Sequence, residues 1–318
     1  MYGLKDLKPK IKITDSTVEC PVKGCKELVM RQKNSFKRDI EYKCSKHKIF
    51  ISPSTFGYLS DYDNLLWMDS EDKQLYNETF KNKRESRILY DNSEDAITWN
   101  VMRFLKKQNI LPAFLSKLSN KKIKHTELIL WSYSSVEHSD WSMLNKARIE
   151  FGETIDRGTE PDIIILTDQV LYFIEAKFTS SNETIPSFLS IRKNYEIGGN
   201  NLFKEIFKSS YTDVTIKEKR YELMRFWLLG TWISNQLGLD FELLSLVRKS
   251  TESNIGTDFK KHIIETANRK FSRMTWEDIF LYIQGTADTS EKKVMIDYFN
   301  NKTIGYSSKY QIIKAFDL

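Results

Sequence analysis

The chain has 318 residues, 49 Lys+Arg against 43 Asp+Glu, and a formal net charge of +6. An apolar fraction of 40%, with 13% aromatic residues, excludes global disorder and fits one large domain or two. No stretch approaches the ~18 uninterrupted apolar residues of a membrane span, and no apolar signal region follows the Lys-rich start, so a cytoplasmic protein with no membrane partner is expected.

The positive excess lies at the start of the chain. Residues 1–60 hold thirteen Lys+Arg and six Asp+Glu, net +7, while the rest is close to neutral. Such a segment suits a phosphate backbone; the alternative is a solvated surface. The same segment contains all three cysteines. Four residues separate Cys20 from Cys25, and two separate Cys44 from His47. An odd cysteine count argues against a disulfide framework, whereas three thiolates and an imidazole complete a tetrahedral zinc shell. Gly24 can turn the first knuckle, and residues 28–30 and 40–42 are expected as short strands around the Lys33-Asn34-Ser35 turn. The pattern resembles a zinc ribbon, so residues 1–55 are expected to form a small basic module with a structural zinc. Arg31, Lys33, Phe36, Lys37 and Arg38 are its candidate contacts to nucleic acid.

Residues 50–90 are expected to connect this module to a second domain, 56–318, with Trp67, Leu75, Tyr76 and Phe80 on a helix face. A helix is predicted over 93–107, capped by Ser93, with Glu94 and Asp95 in its first turn and Ile97, Val101, Phe104 and Leu105 at helical spacing. Strands follow at 127–133, 162–167 and 170–178. A loop is expected at 197–201, a long apolar helix at 219–236, a strand at 243–248, and helices at 257–270 and 275–284. Strands interrupted by helices indicate an α/β fold.

Two apolar runs flank Asp168-Gln169. If these two residues form a two-residue hairpin turn, Thr167 pairs with Val170 and Asp162 falls opposite Glu175. Side chains opposed in this way lie about 5 Å apart at Cβ. Lys177 points to the same face as Glu175. Two opposed carboxylates repel unless a cation holds them, and oxygen ligands with waters suit Mg2+ or Mn2+. Such a metal activates water and stabilises charge on phosphate, and Lys177 can position the water. The alternative is a surface salt bridge at a strand end. Arg220 and Arg225, in the long helix, are phosphate contacts or packing groups. His125 and His262 are expected at the surface, and His138-Ser139-Asp140 is local sequence without a triad geometry.

Pro161-Asp162, followed after twelve residues by Glu175-Ala176-Lys177, resembles the PD-(D/E)XK nuclease superfamily. The resemblance implies a restriction-endonuclease-like mixed sheet flanked by helices, with its core at about 90–250. It implies magnesium on Asp162 and Glu175, and a further acid from a preceding helix, with Glu94 the first candidate and Asp95 the second. Its expected activity is metal-dependent endonuclease cleavage of double-stranded DNA, in restriction or other defence, with a homodimer supplying two sites. Two alternatives share the fold: an inactive DNA-binding or assembly protein, and a junction-resolvase or repair nuclease.

Overall fold

The computed structural model describes residues 6–52, 54–81, 87–187, 191–307 and 309–318. The chain divides into two compact units. One draws on 1–74, 84–104 and 277–318, the other on 75–83 and 105–276. The division does not fall near residue 55. Among the described residues, no helix is long and apolar enough to cross a membrane.

In the first unit, the cysteine segment is woven into distant parts of the chain. Strand Thr17–Glu19 pairs antiparallel with Leu28–Met30, and Phe50–Ile51 with Phe56–Gly57. Ile11 N–H donates to Tyr310 O, and Ile312 N–H to Pro9 O. Tyr58 N–H donates to Leu89 O, and Asp91 N–H to Phe56 O. A segment this short has few core residues of its own, so it completes its hydrogen bonding on the 87–91 and 303–314 segments. Residues 40–42 form a 3-10 turn rather than the expected strand. Ile40 is exposed there, and Tyr42 and Lys43 N–H turn back onto Asp39 and Ile40. Helix Glu94–Lys107 starts as expected, with Ser93 Oγ accepting from Ala96 N–H at 3.1 Å.

The second unit is built on a mixed seven-stranded sheet. Its order is Arg269–Thr275, Asp240–Val247, Val170–Ala176, Ile163–Thr167, Thr126–Leu130, Tyr133–Ser134 and Ser139–Asp140. The first three strands run parallel, and the remaining neighbours are antiparallel. The central Val170–Ala176 strand is buried at every position, which explains its unbroken apolar reading. Leu171, Phe173, Leu243, Phe241 and Phe271 pack on one face against helices Ser142–Glu150, Arg192–Ile206 and Tyr221–Leu237. Gly230 permits this approach in the long helix, because a Cβ there would meet the Phe241 ring at 2.1 Å. The α/β class is therefore as expected. The helix expected over 257–270 is replaced by a short one, Ile255–Lys260, after which Arg269–Thr275 adds a parallel strand at the sheet edge.

Candidate functional site

The cysteine cluster lies in the first unit. Gly24, at φ +75, closes the Cys20–Cys25 knuckle in a backbone region that favours glycine. The ligand atoms of Cys20, Cys25, Cys44 and His47 all lie within 4.8 Å of one another. Cys25 and Cys44 Sγ are 3.9 Å apart, and His47 Nδ1 is 3.4 Å from Cys20 Sγ and 3.6 Å from Cys44 Sγ. A tetrahedral zinc with ordinary Zn–S and Zn–N bonds sets those separations at about 3.8 and 3.6 Å. The cluster can therefore hold a structural metal ion. Glu27 braces it by accepting Ser45 N–H at 2.7 Å and Lys46 N–H at 3.4 Å, which orders the turn between Cys44 and His47. Lys8 Nζ donates to Cys20 O at 2.8 Å. Burial pushes the Cys20 thiol above its usual range, so a metal must displace a proton there.

Most of the expected nucleic-acid contacts around this cluster have other work. Phe36 sets its ring edge against Tyr90 at 4.8 Å and Phe50 at 6.1 Å, so it packs the module. Arg31 Nη1 donates to Thr14 O at 3.1 Å, and Arg38 to Leu59 O. Lys33 and Lys37 are exposed.

The carboxylate–lysine group lies in the second unit. Ile163 pairs with Ile174, Ile164 with Phe173 and Leu166 with Leu171, which is the register expected from a two-residue turn. Asp162 precedes Ile163 and Glu175 follows Ile174, so they meet at one end of the hairpin. Glu175 continues the face of Leu171 and Phe173 but replaces core with charge. Asp162 Oδ2 accepts Ala176 N–H at 2.9 Å, and its Oδ1 accepts the Trp131 indole N–H at 3.2 Å. Lys177 Nζ donates to Glu175 Oε1. Its backbone N–H continues the ladder to Leu246 O at 2.7 Å. The Glu175 side chain is 5% exposed and that of Lys177 11%. Burial, then the Asp162 carboxylate, push the Glu175 carboxyl well above its usual range against the pull of Lys177.

Sequence reasoning missed two members of this group. Trp131 stands at the end of strand Thr126–Leu130 and reaches Asp162 only because the chain turns through left-handed backbone there. Glu222 Oε2 lies 3.6 Å from Lys177 Nζ, and this buried oxygen accepts no hydrogen bond. Thr184 fixes Glu222 by accepting its backbone N–H at 2.9 Å. An acid in the first turn of a helix is also what the helix dipole favours, so its position alone did not mark it. Glu94 and Asp95 open a helix of the first unit.

The carboxylates that meet here, Asp162 and Glu175, are oxygen donors of the kind a hard divalent cation takes, and Glu222 stands near Lys177 as a second acid for the ammonium. Among the described residues, the group of three or more His, Cys, Asp or Glu side chains close enough to share a metal is the cysteine cluster.

Arg220 Nη1 is 3.8 Å from Glu252 Oε1, and Arg225 stacks over the Tyr221 ring at 4.7 Å. His262 is buried, not at the surface as expected, with Nδ1 2.8 Å from Ser209 Oγ. His125 and His138 are exposed. The expected loop at 197–201 is a break within helix Arg192–Ile206, held by Gly199 N–H donating to Glu150 Oε1 at 3.0 Å. Comparison with known protein families, curated proteins and solved structures finds no match for the chain.

Proposed function

We propose that this protein is a metal-dependent nuclease of the PD-(D/E)XK kind that hydrolyses phosphodiester bonds in double-stranded DNA. The observation that carries the reading is the meeting of Asp162, Glu175 and Lys177 at one end of a buried hairpin. A buried carboxyl beside a second carboxylate is costly to ionise without a cation: burial first, then the Asp162 carboxylate, holds Glu175 against ionisation.

In this reading Asp162 and Glu175 would hold Mg2+ or Mn2+, which would supply water activation and charge neutralisation at the phosphate. Trp131 and Ala176 N–H aim the Asp162 carboxylate. Lys177 orients the attacking water and offsets the charge that grows on phosphorus. Glu94 enters on the family resemblance alone. The cysteine cluster binds a structural zinc, and the exposed lysines of the basic segment contact the DNA backbone. Cutting both strands needs two such sites, which a homodimer supplies, and restriction or other defence is the biological context.

The test is cleavage of plasmid, methylated and branched DNA with and without Mg2+. Mg2+-dependent cleavage of the plasmid or methylated duplex supports the reading. Preference for branched DNA turns it toward a junction or repair nuclease. Binding without cleavage of any substrate makes the chain a DNA-binding or assembly protein on a nuclease-like scaffold.

A further inference from the structure

Lys177 stands between two acids from different elements. Glu175 lies two residues before it on its own strand, and Glu222 comes from the start of helix Tyr221–Leu237. The ammonium sits on Glu175, although Glu222 Oε2 is only 3.6 Å away and accepts no hydrogen bond. We propose that Glu222 is a positioning residue that takes over the Lys177 ammonium when a divalent cation occupies the Asp162–Glu175 pair. The proposal rests on the reading of those two carboxylates as cation ligands.

Glu175 cannot serve both partners. A dication between Asp162 and Glu175 would sit within a few ångströms of the ammonium, and like charges at that distance in a buried site repel strongly. The lysine stem is flexible enough to swing its charge by one contact. Glu222 gives that charge a destination. Its backbone is anchored by Thr184, and the oxygen it turns to Lys177 is buried, so it holds an acceptor ready within one contact of the ammonium. Binding the cation and aiming Lys177 thereby become one event. Without Glu222, the ammonium stays on Glu175 and competes with the metal.

Mn2+ binding to the full-length protein, read by electron paramagnetic resonance, tests this without any cleavage assay, with Asp162→Ala as the blank for this site. Glu222→Gln is expected to weaken Mn2+ binding about tenfold, the scale of one charge-assisted contact. Lys177→Gln is expected to tighten it, because the competing ammonium is gone. In the Lys177→Gln background, Glu222→Gln should then have no effect. Mn2+ binding that is equal in wild type and Glu222→Gln overturns the proposal and leaves the cation reading standing. A Glu222→Gln loss that persists in the Lys177→Gln background also overturns it, making Glu222 a direct ligand. Wild-type binding no stronger than the Asp162→Ala blank overturns the cation reading, and this proposal with it.

Discussion

Trp131 donates its indole N–H to Asp162 Oδ1 while its own backbone sits at φ 46 and that of the next residue, Ser132, at φ 71. Two consecutive non-glycine residues in left-handed backbone cost on the order of 1 kcal/mol or more each and persist only where surrounding bonds impose them. Here Trp131 N–H donates to Asp162 O, Trp141 N–H to Ser132 O, and Arg148 Nη2 to Ser132 Oγ at 2.7 Å. Strain of this kind, ending on an acid of the candidate site, indicates that Asp162 is aimed. Trp131→Phe keeps the packing but removes the donor. Cleavage is expected to slow about tenfold with the melting temperature little changed. A wild-type rate would reduce the indole to packing.

Arg148 is nearly fully buried and also donates to Thr159 O at 2.9 Å. Arg148→Met would strand several buried acceptors together, so a loss of about 2–4 kcal/mol is expected in denaturant unfolding. An unchanged midpoint would mean that the turn is held by its backbone bonds alone.

Asp162→Ala, Glu175→Ala and Lys177→Ala are each expected to lower Mg2+-dependent cleavage by at least about a hundredfold while leaving DNA binding in place. Their stabilities should differ. Asp162→Ala removes the acceptor of Ala176 N–H and of the Trp131 indole and costs about 1–3 kcal/mol, whereas Glu175→Gln loses the charge that pairs with Lys177 but relieves burial and repulsion with Asp162, and costs less. Glu160→Ala is the acidic neighbour for comparison. Thermal melting beside cleavage rates checks both halves.

Purified protein should carry about one zinc per chain. Cys25→Ser or chelation should loosen 6–60 and also expose 303–318 to protease, because Ile11 and Pro9 hydrogen-bond to Tyr310 and Ile312. Proteolytic fragments read by mass spectrometry decide it. Opening confined to the cysteine segment would show that the zinc does not stabilise the rest of its unit.

Lys302 is fully buried, and burial pulls its ammonium down to about 8 against the opposing field of Asp91. The folded state therefore holds fewer protons than the unfolded chain between pH 8 and the ordinary lysine range near 10.5. Stability from this group rises with pH across that window, by about 3 kcal/mol at most, and its full penalty applies below pH 8. Lys302→Met should raise stability at pH 7 and flatten the rise above pH 8. Parallel unfolding curves for the two proteins from pH 7 to 10 would contradict this.

Much of the candidate chemistry is written in local sequence. A two-residue turn between apolar runs leaves one antiparallel register that buries both strands, so Asp162 and Glu175 had to meet. Cysteine and histidine spacing likewise marked four ligands that close to tetrahedral distances. Both depend on short-range geometry, which the chain carries wherever it folds. The rest was decided by partners far away in sequence. Arg269–Thr275 is a strand because Asp240–Val247 offers it a parallel ladder, although its flanks resemble a helix. Phe36 is a packing residue because Tyr90 and Phe50 close around it. Glu222 and Trp131 read as a helix-capping acid and a strand-end aromatic until the sheet and the long helix bring them to Lys177 and Asp162. Periodicity reports which face of an element is apolar; which side chain meets which across the fold is set by tertiary pairing, and that pairing assembled the site.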